Sequence, residues 1–207
     1  MMREAYLERL LEHGHPVAER ELGAERAAEL AERARAKFRA LAPEAPRFRQ
    51  MMNERLFVAG VPMLAIYRVL RDEHRMAEEP ALALLGEMSE RTMRAYLASP
   101  LRRTLARLMF DTPVARLTMP LAYAASEPDG FRFEKAAADA PGTTLAFDVR
   151  ECALVKYLRS QGAPEIVPLI CHLDDVMAEP LRRVRLVRTG TIGQGAERCD
   201  FRYVRKT

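Results

Sequence analysis

The feature that most constrains this chain is a change of hydrophobic period near residue 130. Ahead of it, apolar residues recur every three or four positions. In "AERAAELAERARAKFRALA", residues 24 to 42, Ala27, Leu30, Ala31, Ala34, Phe38 and Leu41 form one helical stripe, which Pro43 and Pro46 end. A second helical region runs from about Arg49 to Met76, and Gly60 and Pro62 of "AGVP" interrupt it. Pro80 suits the start of a third helix, which places Leu84, Leu85, Met88, Tyr96 and Leu97 mostly on one face. The stretch "LRRTLARLMF" after Pro100 makes another short helix.

Beyond Gly130 the pattern becomes alternation. "GFRFEKAAA" and "TTLAFDVRE" read as strands joined through the turn signal "DAPG". "ECALVKYLRSQG" returns to helical spacing and stops at Gly162, and "PEIVPLICHLDDVMAEP" gives a helix with Pro164 or Pro168 near its start and Pro180 past its end. "RVRLVRTGTI" and "ERCDFRYV" then read as strands around "GQGA". The prediction is an α+β fold in one compact domain. A helical part, residues 1–128, packs on an α+β part, residues 129–207, whose order is β-β-α-β-β. A four-stranded antiparallel sheet with helices on one face, and Cys199 turned toward them, covers every apolar strand face.

Charge excludes some functions. The formal charge of +4 comes from 33 basic and 29 acidic residues that are interspersed, so no block supplies a nucleic-acid footprint. A small carboxylated substrate remains compatible, and a homodimer is left open. Residues 1–12 carry charges inside every short apolar stretch, so no signal peptide is expected. The longest apolar run is too short to span a bilayer, and no membrane partner is expected. Three cysteines without close pairs point to a reducing cytoplasm.

Those cysteines are the candidates for chemistry. Cys152 falls at a helix start, where backbone N–H groups lower a thiol pKa; a buried, inert thiol is the alternative. Cys171 shares a helical face with Asp174 and Asp175 at i+3 and i+4, and since consecutive helical residues diverge by about 100°, only one carboxylate is expected to serve it. Cys199 alternates with Phe201 and Tyr203, which puts those three on one strand face and Asp200 on the other. Arg188 and Thr189 precede the turn "GTIGQG" and suit a carboxylate. Cys152, Cys171, His172 and Cys199 contain no closely spaced ligand pair, so no metal is expected. The glycine turn is neither a dinucleotide fingerprint nor a P-loop, and no cofactor is expected.

Taken together, "FDVRECALVKYLRSQGAPEIVPLICHLDD" and "RTGTIGQGAERCDFRY" resemble the C-terminal signature of the L-2-amino-thiazoline-4-carboxylic acid hydrolase family. The last segment is also similar to ligand-binding domains of the vinyl-reductase type. The first resemblance implies hydrolytic ring opening of a 2-amino-thiazoline carboxylate to an N-carbamoyl amino acid. Catalytic candidates by position are Cys152, Cys171, Asp174 and Cys199. Arg188, Thr189, His172 and Asp175 are the substrate-binding candidates. The alternative is a non-catalytic, sensor-like domain with a cysteine-lined pocket.

Overall fold

In the computed structural model, residues 2–139 and 141–206 are described. Helices α1 (Met2–Leu22), α2 (Ala24–Leu41), α3 (Met51–Phe57), α4 (Gly60–Arg68), α5 (Glu78–Ala98), α6 (Pro100–Phe110) and α7 (Val114–Ala124) come first. Strands β1 (Arg132–Lys135) and β2 (Thr143–Glu151) follow, then α8 (Ala153–Ser160), α9 (Val167–Ala178), β3 (Val184–Val187) and β4 (Cys199–Arg205). The change of period at residue 130 thus marks the change of layer.

The helical bundle is built around α4. Its sequence "GVPMLAIY" is buried at every position, because α4 packs against α1, α2, α5 and α8. The predicted break falls at residues 58–59, with Gly60 and Pro62 in the first turn of α4. There the missing proline N–H is harmless. The α2 stripe buries Ala27, Leu30, Ala34 and Phe38, as its spacing predicts. Leu84, Leu85, Met88 and Leu97 of α5 are buried, but Tyr96 is exposed, since it shares the Thr92 side of the helix with a surface groove.

All sheet pairings are antiparallel, in the order β1-β2-β4-β3. Register sets Leu145, Phe147 and Val149 of β2 opposite Tyr203, Phe201 and Cys199 of β4, and Leu186 of β3 opposite Tyr203. Side chains alternate, so these residues make one apolar face, and most of them join the same core as Leu154, Leu158, Ile166 and Val167 of the helical layer. Phe147 stacks on Phe201 at 4.9 Å and Phe110 on Tyr203 at 4.5 Å. The opposite face is charged. Arg202 pairs there with Asp148 at 2.9 Å, and Arg198 reaches the same carboxylate at 3.2 Å.

Two local features bring α8 and α9 over the apolar face. Gly162 takes φ +66 after α8, a conformation open to glycine, and its N–H donates to Arg159 O at 3.0 Å, closing the helix. The chain then re-enters through a single 3-10 turn, Pro164–Ile166, directly into α9.

Candidate active site

The site grows from α9 and the inner sheet face. Parity along β3 carries Leu186, and then Arg188 just past the strand, to the side of α9. The Arg188 side chain is only 9% exposed, and its Nη1 donates to Asp174 Oδ2 at 2.8 Å. Its Nη2 donates to Asp175 Oδ2 at 3.0 Å and to the Cys171 carbonyl at 2.9 Å, while the guanidinium lies 5.2 Å from the Phe201 ring centre. Cation, carboxylates and aromatic ring thus lock β4, α9 and the end of β3 together.

Cys171 and Cys199 meet beneath this pair. The turn at 191–195 folds back so that the Ile192 N–H donates to Cys199 Sγ at 3.2 Å. It also runs so close to α9 that a β-carbon on Gly193 would stand 3.3 Å from Cys171 Sγ and 2.5 Å from Val167 Cγ1. Thr191, buried, anchors the turn by accepting the Gln194 N–H at 3.2 Å. The geometry explains the titration of the thiols. Burial pushes Cys152 up to about 12, with the helix-start N–H groups of Val155 and Leu154 opposing it and the charges of Cys171 and Cys199 adding to it. Of the two readings of Cys152, the acidic thiol at a helix start and the buried, inert one, this balance favours the second, because desolvation outweighs the N–H groups. Burial likewise raises Cys171 to about 11 and raises Cys199.

Asp174 behaves differently. Its side chain is 44% exposed, yet it sits in a crowded recess. That crowding pushes its carboxyl up to about 6, against the pull of Arg188 and with a push from Asp175. Burial and the neighbouring guanidinium thus act on this carboxyl in opposite directions.

The recess opens into a groove of about 700 Å³ between α1, α3, α5 and α9. Four helical stripes line it. Met2, Ala5, Tyr6 and Arg9 come from α1, and Ile170, Leu173, Asp174 and Met177 from α9, each set at i, i+3, i+4 and i+7. Arg55 and Leu56 enter from α3, and Thr92, Met93 and Tyr96 from α5. Among the described residues, neither Arg9 nor Arg55 has a carboxylate within ion-pair distance, so two guanidinium groups and one titratable carboxylate face a shared cavity. A more open depression of about 440 Å³ beside His13 has its acidic side chains paired within the protein, Glu90 with Arg94 and His172, and Glu87 with Arg20.

The predicted site residues separate accordingly. Cys152, Cys171 and Cys199 influence one another electrostatically, and Cys171 adjoins Asp174 and Arg188. Asp175 shares Arg188 but is half exposed on the outer side of α9. His172 points to solvent and accepts or donates to Glu90 at 2.6 Å, away from the thiols, as the helical turn dictates. Thr189 lies on the charged sheet face, where its N–H and hydroxyl donate to Asp200 at 2.9 and 2.6 Å, because neighbouring residues of extended chain face opposite ways. The groove residues Tyr6, Arg9, Arg55 and Thr92, with Thr191 in the turn, escaped sequence reasoning.

No group of three or more His, Cys, Asp or Glu side chains able to hold a metal ion occurs among the described residues. No described helix is long and apolar enough to cross a membrane. The class of protein is thereby defined: an α+β chain with helices on one face of a four-stranded antiparallel sheet, and a carboxylate–guanidinium pair beside one buried and two half-buried thiols.

Residues 49–203 of the 207 match the family described as L-2-amino-thiazoline-4-carboxylic acid hydrolase, and the chain belongs to that family. Neither a curated protein nor a solved structure matches it. The match spans the α3, α5 and α9 walls of the groove and leaves out α1, which carries Tyr6 and Arg9.

Proposed function

We propose that the protein is a hydrolase that opens the ring of a 2-amino-thiazoline-4-carboxylate, or of a similar cyclic amidine or amide, to give an N-carbamoyl amino acid. Family membership supports the reaction class. The observation that carries the assignment is geometric: a carboxylate held by Arg188 at 2.8 Å lines the same groove as two arginines that have no carboxylate within ion-pair distance among the described residues.

In this reading Arg9 and Arg55 hold the substrate carboxylate through charge-assisted hydrogen bonds. Arg188, committed to Asp174 and Asp175, positions the base instead. Asp174 takes a proton from water as its oxygen bonds to the carbon between ring sulfur and ring nitrogen. The carbon–sulfur bond then breaks, the proton passes to the departing sulfur, and the second water proton ends on the ring nitrogen, so that the water oxygen becomes the carbamoyl carbonyl. The thiols, raised by burial, are protonated at neutral pH and serve as packing and hydrogen-bonding groups under Asp174 rather than as nucleophiles. Three free thiols fit a reducing, cytoplasmic setting.

Release of thiol from 2-amino-thiazoline-4-carboxylate by the purified protein tests the proposal. Turnover should rise with pH through about 6, and Asp174→Asn should lower it by roughly a hundredfold or more with the circular dichroism spectrum unchanged. The protonated thiols and the Arg188-bound state of Asp174 favour one competing reading, a non-catalytic binding domain. Tight binding without thiol release would establish it.

A further inference from the structure

The groove is larger than the substrate just assigned to it. A cavity of about 700 Å³ lies within the ~300–1,000 Å³ range of pockets that enclose drug-sized ligands, whereas a five-membered ring bearing one amino and one carboxyl group is a much smaller molecule. Its length agrees. Met2 to Arg9 and Ile170 to Met177 each span two helical turns, about 10 Å of wall.

Most of that wall is apolar. Met2, Leu56, Met93, Tyr96, Ile170 and Met177 line it, and three of them, Met2, Leu56 and Tyr96, are exposed large hydrophobic side chains. Scattered singly, such residues need no explanation; gathered around one concavity beside two guanidinium groups that have no carboxylate within ion-pair distance among the described residues, they describe a ligand with a charged end and an apolar end. The three methionines have flexible, polarisable side chains that adapt to irregular aliphatic or aromatic shapes. The α1 wall lies outside the residues that match the family.

Resting on the reaction proposed above, we infer that the substrate carries an alkyl or aryl substituent on its carboxylated ring. The carboxylate meets Arg9 or Arg55, the ring meets Asp174, and the substituent covers the Met2, Leu56 and Tyr96 rim.

The test compares 2-amino-thiazoline-4-carboxylate with its 2-butylamino and 5-butyl analogues, by thiol release and by calorimetric titration of the Asp174→Asn protein. Each fully buried methylene strengthens binding about fourfold, so even a partly covered butyl chain should lower Kd and KM at least tenfold in one analogue. Leu56→Asp, at an exposed position, should remove that gain, and Tyr96→Ser provides the same check should Leu56→Asp fold poorly. Turnover of the parent compound with no gain from either butyl group overturns the inference and leaves the reaction standing. Tighter binding of a butyl analogue with no thiol release from any compound supports the groove assignment and overturns the reaction. A chain that is dimeric, binds neither analogue, and loses its dimer with Leu56→Asp would show that a second copy fills the groove, again overturning the inference.

Discussion

Replacing Arg188 by methionine isolates the electrostatic control of Asp174. Methionine keeps a long, flexible side chain against the Phe201 ring while deleting the cation that stands 2.8 Å from Asp174 and 3.0 Å from Asp175. Two unit charges about 4 Å apart interact by about 4 kcal/mol at an effective dielectric of 20 and by about 1 kcal/mol in water. With its side chain 44% exposed, Asp174 lies between those limits. A loss of roughly 2 kcal/mol corresponds to about 1.5 pH units. The Asp174 carboxyl should therefore move upward from about 6, reaching 7 or above.

A carboxyl carbon-13 titration reads that shift directly and needs no substrate; the acid limb of kcat/KM should move with it. Stability should follow. A carboxyl raised in the folded state holds its proton there while the unfolded chain has released it, so stability falls as pH rises from the ordinary carboxylate range to about 6. In the variant that decline should continue past neutrality. Arg188→Lys keeps the charge and should stay near the parent value. A folded Arg188→Met protein in which Asp174 still titrates at about 6 would refute the assignment of Arg188 as the residue that holds Asp174 down.

Two further outcomes follow from the recess beneath Asp174. With Cys152 at about 12 and Cys171 at about 11, iodoacetamide at pH 7.5 should label the native thiols roughly a hundredfold or more slowly than those of the urea-unfolded chain. A single fast native thiol, located by peptide mass spectrometry, would restore the case for a cysteine nucleophile. Gly193→Ala places its β-carbon against Val167 and Cys171 and should cost about 1–3 kcal/mol, read as a lower urea midpoint. An unchanged midpoint would mean that the turn does not bear on α9 as closely as described.

The parts of this architecture that rest on local periodicity were legible in the sequence. The α2 stripe, the break before α4, the hairpin of β1 and β2 and the alternation of β4 each declare themselves within about ten residues. The same logic groups Cys171 with Asp174 and turns Cys199 inward, and strand parity alone separates Arg188 from Thr189 once β3 is placed. The groove was illegible for a physical reason. In "MREAYLER" charges interrupt every short apolar stretch, and Arg9 acquires meaning only when tertiary packing sets α1 across a groove from α9, with no carboxylate within ion-pair distance of Arg9 among the described residues. Cys152 shows a similar limit. Its place at a helix start is a local fact, whereas its burial, which decides the titration, is not.

The pairing of β2 with β4 has a consequence for the order of assembly. It sets Val149 against Cys199, and Cys152, Cys171, Asp174, Arg188 and Thr191 all lie on the chain between those two positions. Those residues therefore lie on one chain loop that the pairing of β4 with β2 closes. During synthesis the walls supplied by α1, α3 and α5 emerge early, while Asp174 gains its guanidinium partner and aromatic floor only after Phe201 has left the ribosome. Loop closure grows costly only slowly with length, so the delay has little effect on final stability. Its effect is on timing: a nascent chain holds most of the groove before it holds the chemistry.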